Sequence, residues 1–291
     1  MTHYLPQHKN FGEHQFALID KAFARSLLDD YPSLDIVSAH LAPQSHLYPA
    51  LISLHELPTQ DWQKFITKIT EQSQGLSTPN INLLLSSPLS AKSLRNELAS
   101  LLLINDEKQQ NYLFRYYDPR VLIQLSWMLT PWQLQTYLKT QAIPSWTFFI
   151  DKQWYTLHFQ EKVPYIKNDP INLPLEQINR IGLINQVLEQ LPITKNLDEK
   201  IRLSRHIDEL LLIASNCGLV INKDINIFAQ QGIEQQCAFW LHHDVQAVLK
   251  VADHNPEYYR RTTSNWSEKH WQEIKANAPA LTSLKESRYE K

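Results

Sequence analysis

The chain has 291 residues, 43% of them hydrophobic and 20% charged, an ordinary globular balance with material for one large domain or two modest ones. A net charge of −2 gives no overall attraction for nucleic acid or an anionic membrane, so neither is expected as a partner. Five glycines, with no GxGxxG or GxxxxGK spacing, argue against the common nucleotide folds, and the two cysteines, Cys217 and Cys237, fit no zinc, redox or disulfide pattern. The start, Met1-Thr2-His3-Tyr4-Leu5-Pro6, has neither the basic opening nor the apolar core of a secretory signal. The longest apolar stretch, around residues 98–104, is too short to span a bilayer, so the cytoplasm is the expected location.

The first half alternates short strand-like runs with helical patterns. Phe16-Ala17-Leu18-Ile19-Asp20 is an apolar run ending on a carboxylate, and helical spacing follows over residues 21–28. Residues 34–39 alternate with period two, and residues 48–54 form a third apolar stretch. Trp62, Phe65, Ile66 and Ile69 recur at helical spacing, residues 81–86 read as a buried strand, and Ser90 is placed to cap a helix over residues 91–103. Residues 112–117 read as another strand. Asp118 then precedes Pro119 and an apolar helical pattern through Val121, Leu122, Leu125 and Met128. Aspartate at the cap with proline at the first helical position is a strong start signal, and Thr130-Pro131 repeats it. Residues 146–150 and 154–159 suggest an aromatic hairpin around Asp151-Lys152-Gln153.

Residues 161–174, rich in proline, asparagine and lysine, read as a linker. Beyond them the period is helical over residues 175–191, 198–215, 222–231, 244–252 and 267–276, with Gly218 a helix C-cap. The expected architecture is therefore an α/β (α+β) N-terminal lobe with a small mixed sheet, residues 1–160, and an all-helical C-terminal lobe, residues 170–291.

Twelve histidines invite a metal or a catalytic triad, yet no HExxH spacing occurs, and adjacent His242 and His243 are expected to diverge from a regular element. No serine sits in a GxSxG turn. No catalytic residue, metal or cofactor is therefore expected.

The informative stretch is Leu113-Phe114-Arg115-Tyr116-Tyr117-Asp118-Pro119-Arg120-Val121-Leu122. Strand alternation would put Phe114 and Tyr116 on one face and Leu113, Arg115 and Tyr117 on the other. An arginine within an aromatic strand is expected to be paired, with Asp20 or Asp118 as the carboxylate, and Asp118 also caps a helix. Two roles stay open for these residues and Pro119 and Arg120: scaffold, or direct contact with a partner, since arginine and tyrosine are enriched at interface hot spots.

This stretch resembles the FRFYDPRVL hallmark of domain-of-unknown-function family 4123, the type VI secretion adaptor chaperones. Residues 16–20 resemble the family's ALLD strand. Tyr48-Pro49-Ala50-Leu51-Ile52 resembles its PYLV segment with Ala50 in place of the usual tyrosine. Residues 94–102 resemble its LRRHLR helix, less basic because of Asn96 and Glu97. The resemblance spans roughly residues 15–135. It implies an adaptor that binds a cognate toxin effector and helps load it onto the VgrG spike, with no active-site residue to carry over. Two other readings remain: an α/β enzyme, such as a hydrolase, with a site built from scattered residues, and a structural subunit of a larger machine.

Overall fold

The structure, a computed structural model, describes residues 4–24, 27–75, 80–105, 110–159, 162–194 and 196–280. The chain divides into two compact units, Met1–Leu175 and Glu176–Lys291. In the first, strands β1 (Phe16–Ile19), β2 (Ser33–Asp35), β3 (Ala50–Ser53), β4 (Leu83–Ser86), β5 (Leu103–Asn105), β6 (Asn111–Leu113), β7 (Ser145–Ile150) and β8 (Gln153–His158) alternate with helices. The helices are α1 (Lys21–Ala24), α2 (Leu27–Asp30), α3 (Thr59–Ser73), α4 (Ala91–Leu101), α5 (Pro119–Met128) and α6 (Pro131–Tyr137). Six strands form one sheet in the order β2-β3-β1-β4-β7-β8, with every pairing antiparallel; β5 and β6 form a separate ribbon.

Strand β1 lies inside the sheet, and all four of its residues are buried, which explains an unbroken apolar run where an outer strand would alternate. The register divides the side chains between two faces. Ala17, Ile19, Ile52, Leu84 and Phe149 join Phe65 and Ile69 of α3 in one core. Phe16, Leu18, Leu83, Leu85, Trp146 and Phe148 alternate to the opposite face, where α5 lies along β7 and α4 along β2 and β3.

The predicted helix starts are present in detail. Ser90 accepts from Ser93 N–H, Asp118 accepts from Arg120 N–H, and Thr130 forms a reciprocal capping box with Gln133. The aromatic hairpin turns on two residues, Asp151 (φ 51°) and Lys152 (φ 63°), while Gln153 already opens β8. Positive φ at both central residues is the backbone of a hairpin turn whose twist matches its strands. Residues 34–39 give a shorter strand than their alternation suggests. Beyond Asp35 the Ile36 N–H still bonds the Pro49 carbonyl (2.9 Å), but Arg95 of α4 donates to the carbonyls of Asp35 (2.8 Å) and Val37 (2.7 Å).

The second unit is helical. Its elements are α7 (Leu175–Asn179), α8 (Ile181–Glu189), α9 (Leu197–Asn216), α10 (Asn222–Gln235), α11 (His243–Ala252), α12 (Tyr258–Thr263) and α13 (Glu268–Asn277). The single helix expected over residues 175–191 is broken at Arg180, whose guanidinium donates to Asp208 of α9 from Nε (2.6 Å) and Nη2 (3.2 Å). Helix α12 escaped the sequence pattern because it is only six residues long. The buried Asp224 carboxylate secures its start, accepting the N–H groups of Glu257 (2.9 Å) and Arg260 (3.1 Å). Phe228, Phe239 and Tyr259 pack ring against ring at the centre of this unit. Among the described residues no helix is long and apolar enough to cross a membrane.

Candidate functional site

The strand expected over residues 112–117 stops early. β6 ends at Leu113, and the Phe114 N–H adds one more bond to the Leu102 carbonyl at 2.8 Å. The chain then turns, with Asp118 N–H donating to the Arg115 carbonyl at 3.0 Å. The turn corrects the expected alternation. Tyr117 is buried with Phe114 and Tyr116, whereas Leu113 and Arg115 are exposed.

Each buried residue of the motif has a structural task. Tyr116 is fully buried, meets Trp146 edge-on at 5.9 Å, and donates its hydroxyl proton to the Leu98 carbonyl at 2.8 Å. That carbonyl belongs to the last turn of α4, where the Leu102 N–H turns to the Ala99 carbonyl instead. Burial holds the Tyr116 hydroxyl well above the usual phenol range. Burial also pushes Tyr117 up to about 12; Arg115 pulls the other way, and Asp20 and Asp118 push it further up. Pro119 is buried at the first position of α5, where its missing N–H costs nothing.

The charged residues form a chain around this scaffold. Asp20, just past β1, accepts the Ala22 N–H at 2.9 Å. Arg115 Nη2 lies 3.5 Å from Asp20 Oδ2 and 3.6 Å from Asp118 Oδ2, with its guanidinium 5.6 Å from the Tyr117 ring centre. Arg120 grips Asp118 with two contacts, Nε to Oδ1 at 3.1 Å and Nη2 to Oδ2 at 2.9 Å. Asp20 and Asp118 are each only 10% exposed, but Arg115 and Arg120 are 43% and 46% exposed. The carboxylates are the fixed part and the guanidinium groups are the open part.

Asp20, Asp118 and Arg120 of this chain border a cleft of about 510 Å³ at one end of the sheet. Asp20, Tyr117, Asp118, Pro119 and Arg120 line it together with Leu18, Phe149 and Ile150, and with Asn80, Asn82, Asp151 and Lys152. Antiparallel pairing explains the gathering: the end of β1, the approach to β4 and the β7–β8 turn all fall at the same edge. Sequence reasoning missed Asn80, Asn82, Asp151 and Lys152, because only the strand register brings them to the motif.

Residues 16–136 match the family model described as domain of unknown function (DUF4123). The first unit carries a DUF4123 domain. Comparison with curated proteins and with solved structures gave no match. All eight residues singled out from the sequence lie within the DUF4123 domain: Asp20, Phe114, Arg115, Tyr116, Tyr117, Asp118, Pro119 and Arg120.

Two histidine arrangements lie apart from the cleft. At the edge of the DUF4123 match, the Ser86 hydroxyl sits 3.1 Å from His14 Nδ1 and accepts from Lys9 Nζ at 2.9 Å. Both Ser86 and His14 are buried, and among the described residues His14 Nε2 meets no hydrogen-bond partner, such as the carboxylate that orients the ring in a serine–histidine pair. In the second unit, His242 and His243 do not diverge: their ring centres are 4.3 Å apart. His242 is the extended N-cap of α11 and His243 its first helical residue, so the two side chains leave the backbone at a bend.

Proposed function

We propose that the chain is a cytoplasmic adaptor of a type VI secretion system, which binds a cognate toxin effector and helps load it onto the VgrG spike by binding alone, without catalysis. The observation that carries this reading is the DUF4123 domain with its hallmark motif at residues 113–122. The motif's geometry supports it. Buried Phe114, Tyr116 and Tyr117 fix the backbone, while Arg115 and Arg120 stand exposed, Arg120 on the wall of the cleft. Arginines over a rigid aromatic base are the side chains that anchor interfaces.

Arg115 reaches both of its carboxylates only at 3.5–3.6 Å, longer than a good charge-assisted bond. An acidic effector segment can recruit that guanidinium at small cost, because Asp118 keeps its bidentate contact with Arg120 and Asp20 keeps its backbone donor. Binding a segment that is poorly stable alone raises its folded population by mass action. The experiment is co-expression with the effector encoded beside this chain. The adaptor reading predicts that the two co-purify and that effector abundance falls when this chain is deleted. An effector that remains abundant, unbound and normally delivered contradicts it.

A further inference from the structure

We propose, building on the adaptor reading, that Lys152 contacts the effector directly. With Arg115 and Arg120 it completes a set of three exposed cations that engages an acidic segment of that partner. Ile150 pairs with Gln153, so Asp151 and Lys152 are the whole β7–β8 loop, at φ 51° and φ 63°. A two-residue hairpin turn with positive φ at both positions favours asparagine or aspartate first and glycine second. Asp151 fits that preference. Lys152 stands where glycine would avoid the clash between Cβ and the backbone.

The fold itself makes no use of a lysine at this position. Among the described residues Lys152 is exposed and its side chain makes no hydrogen bond or ion pair. The other non-glycine residues with positive φ, Lys139, Asn168, Gln236 and Glu257, occur singly and have local reasons. Lys139 and Gln236 terminate α6 and α10, where a left-handed residue commonly ends a helix. Asn168 is of a type that tolerates the conformation. Glu257 is pinned by its N–H, which donates to Asp224, and by its carboxylate, which meets Arg260 and Arg261. A long cationic side chain kept in a strained turn on the wall of a cleft points to a binding role.

Exposure, rather than total charge, selects the partner. The cleft wall carries Asp20, Asp118 and Asp151 as well as Arg120 and Lys152, so the sum of charges favours neither sign. Asp20 and Asp118 are nearly buried, and they are already engaged by Arg115, Arg120 and the Ala22 N–H. Asp151 is half-buried, whereas Arg115, Arg120 and Lys152 are all exposed. A segment approaching this surface meets cations first, and carboxylates are what they recruit. Lysine suits such a contact, because its ammonium is a point charge on a flexible stem that accepts a carboxylate in many geometries.

The test compares full-length wild type with Lys152→Gly, Lys152→Asn and Lys152→Arg, by thermal unfolding and by titration with the effector encoded beside this chain. Lys152→Gly relieves the turn and should melt about 1–2 °C above wild type. It should nevertheless bind the effector about tenfold more weakly. Lys152→Asn, which tolerates positive φ but carries no charge, should bind as weakly as Lys152→Gly. Lys152→Arg should bind within about twofold of wild type. Raising the salt concentration should narrow the gap between wild type and Lys152→Gly. A purely structural lysine cannot move stability and binding in opposite directions. Equal effector affinity in Lys152→Gly and wild type overturns the contact and leaves the adaptor reading standing. A Lys152→Gly chain that melts well below wild type also overturns it, because the lysine then has a structural task. A wild type that captures no effector defeats the adaptor reading and this contact with it.

Discussion

The guanidinium of Arg115 lies 3.5 Å from the Asp20 carboxylate, which links the residue closing β1 to the turn that follows β6. The sequence suggests that an arginine among aromatics is half of a buried ion pair. In the structure its carboxylate partners are nearly buried but the arginine is 43% exposed. Exposed pairs contribute little, about 0–1 kcal/mol. Arg115→Ala should therefore lower stability by less than about 1 kcal/mol in urea unfolding, well short of the loss from breaking a buried pair. A loss of several kcal/mol would mean the guanidinium is part of the scaffold.

Tyr116 should behave in the opposite way. Tyr116→Phe keeps the ring against Trp146 but leaves the Leu98 carbonyl without its hydroxyl donor inside the core. The expected cost is about 1–3 kcal/mol, with no change in surface chemistry. Urea unfolding of the variant checks this, and an unchanged midpoint would contradict it.

The second unit has its own buried pair. Asp208 is nearly buried and takes donors from Arg180 and from Gln177 (2.7 Å). Arg180→Ala removes the only cation among these donors and should cost about 3 kcal/mol. The measurement is thermal or urea unfolding, and a loss under about 1 kcal/mol would show that Gln177 alone suffices.

Acid sensitivity should follow His14. Burial, with Lys9 beside it, pushes its pKa from 6.5 down to about 3. The folded value lies below the unfolded one, so the stabilising neutral form is fully favoured above pH 6.5, and the advantage is lost as pH falls toward 3. Between those limits stability should drop by about 1.4 kcal/mol per pH unit from this group. His14→Gln should flatten that part of the profile. An identical slope in the variant would assign the acid sensitivity elsewhere.

Much of this fold is legible in local chemistry. Ser90, Asp118 and Thr130 cap helices because a side-chain oxygen before an apolar helical pattern answers free N–H groups wherever it occurs. β1 and the β7–β8 hairpin are visible because their apolar and turn residues are contiguous. What could not be read is what non-local pairing decides. The turn at residues 115–118 reverses the facing of Tyr117, and no alternation pattern contains that information. The break at Arg180 depends on Asp208 in another helix. The cleft is half visible: the motif side lies in one stretch of sequence, while Asn82, Asp151 and Lys152 arrive through the register of β4 and β7.

The central claim is that the exposed cations of the motif contact the effector while its aromatics hold the fold. The most direct measurement compares effector pull-down by wild type and by the Arg115→Gln/Arg120→Gln double variant, which removes both cations without adding negative charge beside Asp20 and Asp118, each verified as folded by circular dichroism. The account predicts a variant with a melting temperature near wild type that has lost most of its captured effector. A folded variant that captures as much effector as wild type would contradict it.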